Sequence, residues 1–365
     1  MTQLAIVGPS GRAAAFSALR AGLSPRCLDL FADRDLALVA PVERLTGPFP
    51  EALLNAFASL PQGPWLYTGI LENHPELLAR LQQIRPLLWG NEAQRVRRVR
   101  DRHWLADCCR EVGLAMPPEG NWPPGPGRWL IKPIRSGGGR EIRPWSQRES
   151  ERRPPGVYVQ AWQAGQPVGV VFVGLPGRVQ LLGATQQLVG LPWLGGGPFA
   201  YQGSVGPIDL PEALRSALSE LAARLDLRGL FGIDGLLDGP RFWVLEVNPR
   251  YSASVEVLEQ AGSFAALAWH RAAFDSSGEA SGLPSFERIV AKAIVYAKNE
   301  RSFPNAGPWD ASLRLPVTAL RPFADLPEAG AVIAAGAPIC TVWAAGATIS
   351  SVLGQIYEQV QECGL

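Results

Sequence analysis

An α/β fold, with a parallel-sheet domain first and a small module last, is predicted by three observations. Residues 1–90 alternate short apolar strands with helical segments. At 129–140 an apolar strand ends in a lysine and runs into three consecutive glycines. At 231–250 two apolar strands, joined by a tight turn, carry two carboxylates and an amide.

In the first region Leu4 to Val7 reads as a buried strand and Arg12 to Ala21 as a helix. Arg26 to Leu30 and Trp65 to Tyr67 read as further strands. Such alternation argues for a parallel sheet covered by helices. The turn Gly8-Pro9-Ser10-Gly11-Arg12 opens a helix, so its free amides suit an anion. Asp29 ends the second strand as a ribose-binding acid would, but the Gly-x-Gly-x-x-Gly fingerprint is missing, which argues against a nicotinamide cofactor.

Arg95, Arg97, Arg98, Arg100 and Arg102 make a dense basic stretch. Without interleaved aromatics, and with a formal net charge of only +1, it predicts a solvated helix face and no nucleic-acid partner.

Trp129-Leu130-Ile131-Lys132-Pro133 is a short strand ending in a cation, followed by Ser136-Gly137-Gly138-Gly139-Arg140. Glycines let backbone N–H groups approach phosphate oxygens, and Lys132 adds a point charge to the same phosphates. No Gly-Lys-Ser/Thr opens a helix, so this is not a Walker loop. A plain glycine-rich hairpin turn would look the same in isolation.

From 183 to 206 the chain is rich in glycine and aromatics, including Tyr201, and predicts an irregular lid or substrate wall. Leu214, Leu218, Leu221 and Leu225 then recur at helical spacing over Pro211 to Leu225.

In Phe231-Gly232-Ile233-Asp234-Gly235-Leu236-Leu237 and Phe242 to Asn248, Asp234, Glu246 and Asn248 are the polar interruptions. Residues two apart on a strand share a face, so Glu246 and Asn248 project together, and the turn at Asp238-Gly239-Pro240 brings Asp234 opposite. Three hard oxygen donors suit Mg²⁺ delivered with a nucleotide's phosphates. A half-solvated sheet face is the alternative; the flanking apolar runs and the following Asn-Pro-Arg argue against it. Pro249 ends the strand and aims Arg250 outward, where a guanidinium clamps phosphate or carboxylate. Ser252 to Glu256 starts a helix over this site, and residues 287–365 add turn-and-strand units.

An Asp followed by a strand ending in Glu-x-Asn-x-Arg, with an upstream phosphate-binding lysine, resembles the ATP-grasp superfamily. The resemblance implies a two-lobed ATP-binding core at 93–284, with a flexible lobe about 115–165. A pre-ATP-grasp domain at 1–92 and a carboxylase-like module at 285–365 would flank it. It implies ATP and Mg²⁺ (or Mn²⁺) as cofactors, with Asp234, Glu246 and Asn248 as metal ligands. Lys132, Ser136, Gly137, Gly138 and Gly139 would bind the nucleotide, the glycines as a mobile flap. Lys132 and Arg250 would be catalytic, stabilising the transferring phosphoryl group. Arg102, after Asp101, stands where the family places a phosphate-contacting lysine. Gln160, in Val157 to Trp162, stands near the hinge where the family usually carries a ribose-binding acid. Ser10, Arg12 and Glu72 become acceptor-substrate candidates, because the first domain commonly holds that substrate, and Tyr201 joins them from the lid.

The activity so implied is ATP-dependent activation of a carboxylate to an acylphosphate and its capture by an amine. The chain is similar to predicted ATP-grasp carboligases of methane-forming and methyl-oxidising microbes, some of which build one-carbon carriers such as methanofuran or tetrahydromethanopterin. A bicarbonate-using carboxylase and a non-catalytic ATP-binding subunit remain alternatives. Related enzymes are often homodimers, and no Met-Lys-Met biotinylation signal occurs.

Composition fits this frame. The chain has 365 residues, enough for two or three domains, and 18% charged residues. Five cysteines form no Cys-x-x-Cys pair and three histidines complete no zinc set. The first eight residues lack a basic n-region, and no apolar run is long enough for a bilayer, so a cytoplasmic protein with small-molecule partners and no membrane contact is expected.

Overall fold

The computed structural model describes residues 1–48, 51–149, 152–262, 264–276 and 284–364. Residues 150 and 151 of the expected flexible lobe, and 277–283 before the C-terminal segment, lie outside the described residues.

Strands β1 (Gln3–Gly8), β2 (Ser24–Asp29), β3 (Val42–Arg44) and β4 (Trp65–Tyr67) form a parallel sheet in the order β3-β2-β1-β4. Helices α1 (Arg12–Arg20), α2 (Arg34–Ala37), α3 (Glu51–Phe57) and α4 (Pro75–Ile84) belong to the same region. The strands are apolar on both faces because helices cover both, as a parallel sheet requires. Helices α5 (Ala93–Arg100) and α6 (Arg102–Glu111) follow, and Asp101 separates them. The Asp101 carboxylate accepts from the amides of His103 and Trp104, which caps α6. Cys108 and Cys109 sit buried on α6 as free thiols.

A small antiparallel sheet, β5 (Trp129–Pro133), β6 (Arg143–Pro144) and β7 (Val157–Ala161), is ordered β6-β5-β7. The main sheet begins with β8 (Gln166–Leu175), β9 (Arg178–Val189) and β10 (Tyr201–Gly206). After α7 (Glu212–Leu225) come β11 (Gly229–Asp238) and β12 (Arg241–Asn248), then α8 (Ala253–Gly262) and α9 (Ala266–Ala272). The last region holds β13 (Ile289–Tyr296), β14 (Arg301–Ser302), α10 (Trp309–Leu313), β15 (Phe323–Ala324), β16 (Val332–Ile333), β17 (Pro338–Gly346) and α11 (Ile349–Glu362). The main sheet is antiparallel and eight-stranded, in the order β12-β11-β8-β9-β10-β13-β17-β15.

Period-two burial gives this sheet two apolar faces. Val168, Val170 and Phe172 of β8 pack with Leu214, Leu218 and Leu221 of α7, while Val171 and Val173 pack with Val255 and Leu258 of α8. Each fully buried leucine of α7 contributes about 2 kcal/mol of apolar burial.

Two expectations change. The 183–206 segment is mostly strand: residues 183–189 belong to β9 and 201–206 to β10, leaving 190–200 as the loop. Its glycines signalled irregularity, yet in these strands they mark shifts in register, such as that between Tyr201 and Gly203. The C-terminal strands also do not stand apart, since β13, β17 and β15 extend the central sheet.

One buried histidine links these layers. The Leu230 amide donates to His270 Nδ1 at 2.9 Å, so the ring proton sits on Nε2, 3.0 Å from the Trp89 carbonyl. Burial pulls this imidazole from 6.5 down to about 4. A depressed folded-state pKa gives stability that is complete above the unfolded value and is lost as pH falls through the folded one. Unfolding titrations should therefore show stability dropping by about 1.4 kcal/mol per pH unit below the ordinary histidine range. His270→Gln should flatten that slope; an unchanged slope would refute the assignment.

Candidate active site

A cleft of about 610 Å³ lies between the small sheet and the main sheet. Arg102, Lys132, Ser136, Gly137, Gly138, Gly139, Gln160, Tyr201, Asp234, Glu246, Asn248 and Arg250 all line it. Thus nearly every residue singled out in sequence converges on one cavity. Ser10, Arg12 and Glu72 do not line it.

The hairpin β11–β12 pairs Asp234 with Glu246 and Gly232 with Asn248. Register shifts after Asp234, so that Gly235 faces Val244 and Leu245 is the extra residue of a bulge. Bulges re-aim strand side chains, and here Leu245, Glu246, Val247 and Asn248 all border the cleft. Asp234 accepts from Gln187 Nε2 at 2.9 Å and from Asn248 Nδ2 at 2.8 Å. Burial, and then the charge of Glu246, push its carboxyl up to about 7. Gly169 lies beneath: a Cβ there would come within 2.7 Å of Ser254 Oγ, 3.0 Å of Gln187 Nε2 and 3.2 Å of Asp234 Oδ1.

Glu246 is held by Arg100, whose Nη1 donates to its Oε2 at 3.1 Å. A cation therefore already balances this carboxylate. The donor set fits a hard divalent ion: two carboxylates and an amide at the end of one hairpin, one carboxylate poised to exchange its proton for a metal. The Asn248 amide points its nitrogen at Asp234 and its oxygen, 3.1 Å away, at Arg250 Nη2. Asn248 would have to redirect its oxygen to serve as a metal ligand.

Lys132 is half-buried, and its Nζ donates to Gln160 Oε1 at 3.0 Å. Burial lowers the ammonium's pKa; Glu246 opposes that shift, while Arg100 and Arg102 add to it. Gln160 is only 2% exposed and also donates to the Pro117 carbonyl at 3.2 Å. Both ends of its amide are engaged, so the expected ribose contact needs another partner. Arg102 is paired with Glu119 and stacks 4.0 Å over the Tyr158 ring.

The glycine segment takes left-handed backbone at Gly138 and Gly139, with φ of 66° and 71°. A Cβ on Gly139 would lie 2.0 Å from the Phe199 carbonyl, so only glycine lets the flap touch the 190–200 loop. The Tyr201 amide closes this contact on the Gly138 carbonyl at 2.9 Å, and Asn73 Nδ2 holds the Ser136 carbonyl at 3.0 Å. The amides of residues 135–140 themselves find no acceptor among the described residues. Hydrogen exchange at 135–140 should therefore be fast in the free protein and slow at least about tenfold with a nonhydrolysable ATP analogue and Mg²⁺. Amides of β10 should be protected in both states. Equal exchange at 135–140 with and without the analogue would mark the glycines as a static turn.

Arg250 reaches back to the N-terminal region. Its Nε and Nη2 both donate to Glu72 Oε1, at 2.9 and 2.5 Å. Burial pushes the Glu72 carboxyl up and Arg250 pulls it further down, leaving it below its ordinary value. Glu72 is thus the counter-ion that sets Arg250 beside the cleft. Burial raises the Tyr201 phenol, which bonds Ser204 Oγ at 2.8 Å on the cleft floor.

Two expectations need correction. Arg12 is buried among Glu256, Asp325 and Asp35 and ties α1 to α8 and to the segment before β17. The anion at the start of α1 is the chain's own Asp29, which accepts from the Gly11 amide at 2.5 Å, and Ser10 is exposed beside it. Sequence reading missed Arg100, Gln187, Asn73 and Ser254. Arg100 stood within a basic run read as a solvated face, and no local pattern distinguished the others.

A family model described as an ATP-grasp domain matches residues 99–254. In sequence the chain is 26% identical over 163 residues to an uncharacterized protein of Methanocaldococcus jannaschii, covering 44% of this chain and 38% of that protein's length. In structure it is similar to the biotin carboxylase of Campylobacter jejuni, with a TM-score of 0.72, 13% identity, and coverage of 99% of this chain and 91% of that one. It is also similar to the L-amino acid ligase of Bacillus licheniformis, with a TM-score of 0.71, 17% identity, and coverage of 99% and 97%. For the N5-carboxyaminoimidazole ribonucleotide synthetase of Thermus thermophilus the TM-score is 0.68, with 16% identity and coverage of 99% and 98%. A long-chain acyl-CoA carboxylase shares the fold over only 39% of its own length.

Proposed function

We propose, from the premise that residues 99–254 are an ATP-grasp domain on an ATP-grasp fold, that this chain is an ADP-forming ligase joining a carboxylate to an amine. The carrying observation is the convergence of Lys132, Gly137–Gly139, Asp234, Glu246, Asn248 and Arg250 on one cleft. We assign residues 1–92 to substrate holding, 93–284 to the nucleotide and 285–365 to support of the shared sheet.

Asp234, Glu246 and Asn248 would hold Mg²⁺, which supplies charge neutralisation during phosphoryl transfer. Lys132 faces the nucleotide phosphates, and the unpaired amides of 135–140 close on their oxygens. Arg250, oriented by Glu72, stabilises charge on the phosphoryl group as it passes to the substrate carboxylate. The amine attacks the resulting acylphosphate, an amide C–N bond forms, and phosphate leaves. No protein nucleophile is needed. Excluding water from the cleft is the task of the flap and the 190–200 loop.

On the resemblance in sequence to ATP-grasp carboligases of methane-forming and methyl-oxidising microbes, we further propose a role in building one-carbon carriers such as methanofuran or tetrahydromethanopterin. Dimer formation, common in related enzymes, is part of the same proposal.

Calorimetry should detect nucleotide binding that depends on Mg²⁺ or Mn²⁺, and ADP release should be stimulated by a carboxylate and amine together. Mg²⁺ should support turnover better than Zn²⁺, since every proposed ligand is a hard oxygen. No magnesium-dependent ATP binding would refute the proposal. Incorporation of labelled bicarbonate would instead select the carboxylase alternative.

A further inference from the structure

A second cavity, of about 360 Å³, opens between the N-terminal region and the start of the cleft. Glu72, Asn73 and Asp101 are among its lining residues, together with four arginines, Arg97, Arg100, Arg102 and Arg135. Most of these charges are spent. Glu72 is neutralised by Arg250, Arg102 by Glu119, and Arg100 by Glu246. Asp101, also at the rim, caps α6. Two cations are the least tightly paired. Arg97 has no acidic partner among the described residues, and Arg135, 60% exposed, lies 3.9 Å from the equally open Glu76. The cavity's own lining thus sets four guanidinium groups against the two carboxylates of Glu72 and Asp101, and Arg100 and Arg102 line both it and the main cleft.

Resting on the ligase reading above, we propose that this cavity holds a second anionic group of the substrate. The substrate is then a carboxylic acid bearing a further carboxylate or phosphate. Its reacting carboxylate sits at the Asp234/Glu246 hairpin and its other anion faces Arg97 and Arg135. Arg100 stands between the two. Arg100 now pairs with Glu246; were that carboxylate engaged by a divalent cation, the Arg100 guanidinium would become available to the substrate. Guanidinium groups suit this task because their planar donors match carboxylate and phosphate oxygens in pairs.

The test is calorimetric titration of the chain saturated with Mg·ADP, using glutarate, phosphonoacetate and, as a single-charge control, butyrate. Glutarate or phosphonoacetate should bind at least about tenfold tighter than butyrate, an advantage that shrinks with added salt. Whichever of the two binds tighter identifies the second anion as carboxylate or phosphate. Arg97→Ala with Arg135→Ala should abolish the advantage, whereas Arg97→Lys with Arg135→Lys should keep most of it. Both positions are solvent-facing, so neither change threatens folding; Arg97 lies outside the flap, and Arg97→Ala alone should weaken binding of glutarate and phosphonoacetate while leaving Mg·ADP binding unaltered. Equal binding of butyrate, or an unchanged preference in the double alanine variant, overturns the proposal. Absence of Mg·ADP binding in the wild-type chain would instead strike the ligase reading itself.

Discussion

Glu246→Gln should lower ADP-forming turnover by at least about a hundredfold, with the thermal midpoint almost unmoved. The side chain is 45% exposed and its one ion pair, to Arg100, is a half-open contact of small worth to folding. On the proposed reading its value lies in charge offered to a metal, which the amide cannot replace. A second readout separates this from a general loss of shape. Asp234 is pushed up to about 7 by burial and then by Glu246, so Mg²⁺ must displace a proton and its affinity should weaken as pH falls below that value. Removing the like charge lowers the Asp234 pKa, and the pH dependence of metal binding should move in the acid direction. A variant with near-normal activity and an unshifted profile would reduce Glu246 to a structural residue.

Arg250→Met should cost both stability and turnover. The methionine fills much of the space, but Glu72 is left as a buried carboxylate without its partner, a defect of about 3–5 kcal/mol. Adding Glu72→Gln removes the stranded charge, so urea unfolding should recover most of that loss. Turnover should not recover, because the guanidinium is still missing from the cleft. This pattern distinguishes a residue that merely braces the fold from one that also serves the chemistry. If Arg250→Met alone unfolds near the wild-type midpoint, Glu72 has another partner and the pairing matters less than its geometry suggests.

The hairpin was readable because its information is local. Asp234, Glu246 and Asn248 interrupt apolar runs at strand spacing, and Asp238-Gly239-Pro240 sets the turn between them. Lys132 and its glycines were readable for the same reason. What joins them was not. Gln187 bonds Asp234 across 47 residues, and Arg100 bonds Glu246 across 146. Only the folded arrangement decides which of five neighbouring arginines turns inward. Arg12 misled in the opposite sense: a cation at a helix start looks like an anion site, and its true partners lie 244 and 313 residues away. Glycine-rich strands were mistaken for a loop because register shifts use the same residue that turns use.

The order of strands in the main sheet bears on how the chain is made. Strand β10 pairs on one edge with β9, which precedes it, and on the other with β13, which is synthesised only after the hairpin, α8 and α9 have emerged. At ribosomal speeds that interval is roughly ten seconds. Throughout it the nascent chain presents a strand edge whose N–H and C=O groups wait for residues 289–296, and β13 in turn waits for β17. An unpaired edge of this kind is a template for the wrong partner. Chains prematurely terminated before residue 289 would therefore emerge as sticky, aggregation-prone species and not as a smaller working protein, and the burden of shielding them falls on chaperones during translation.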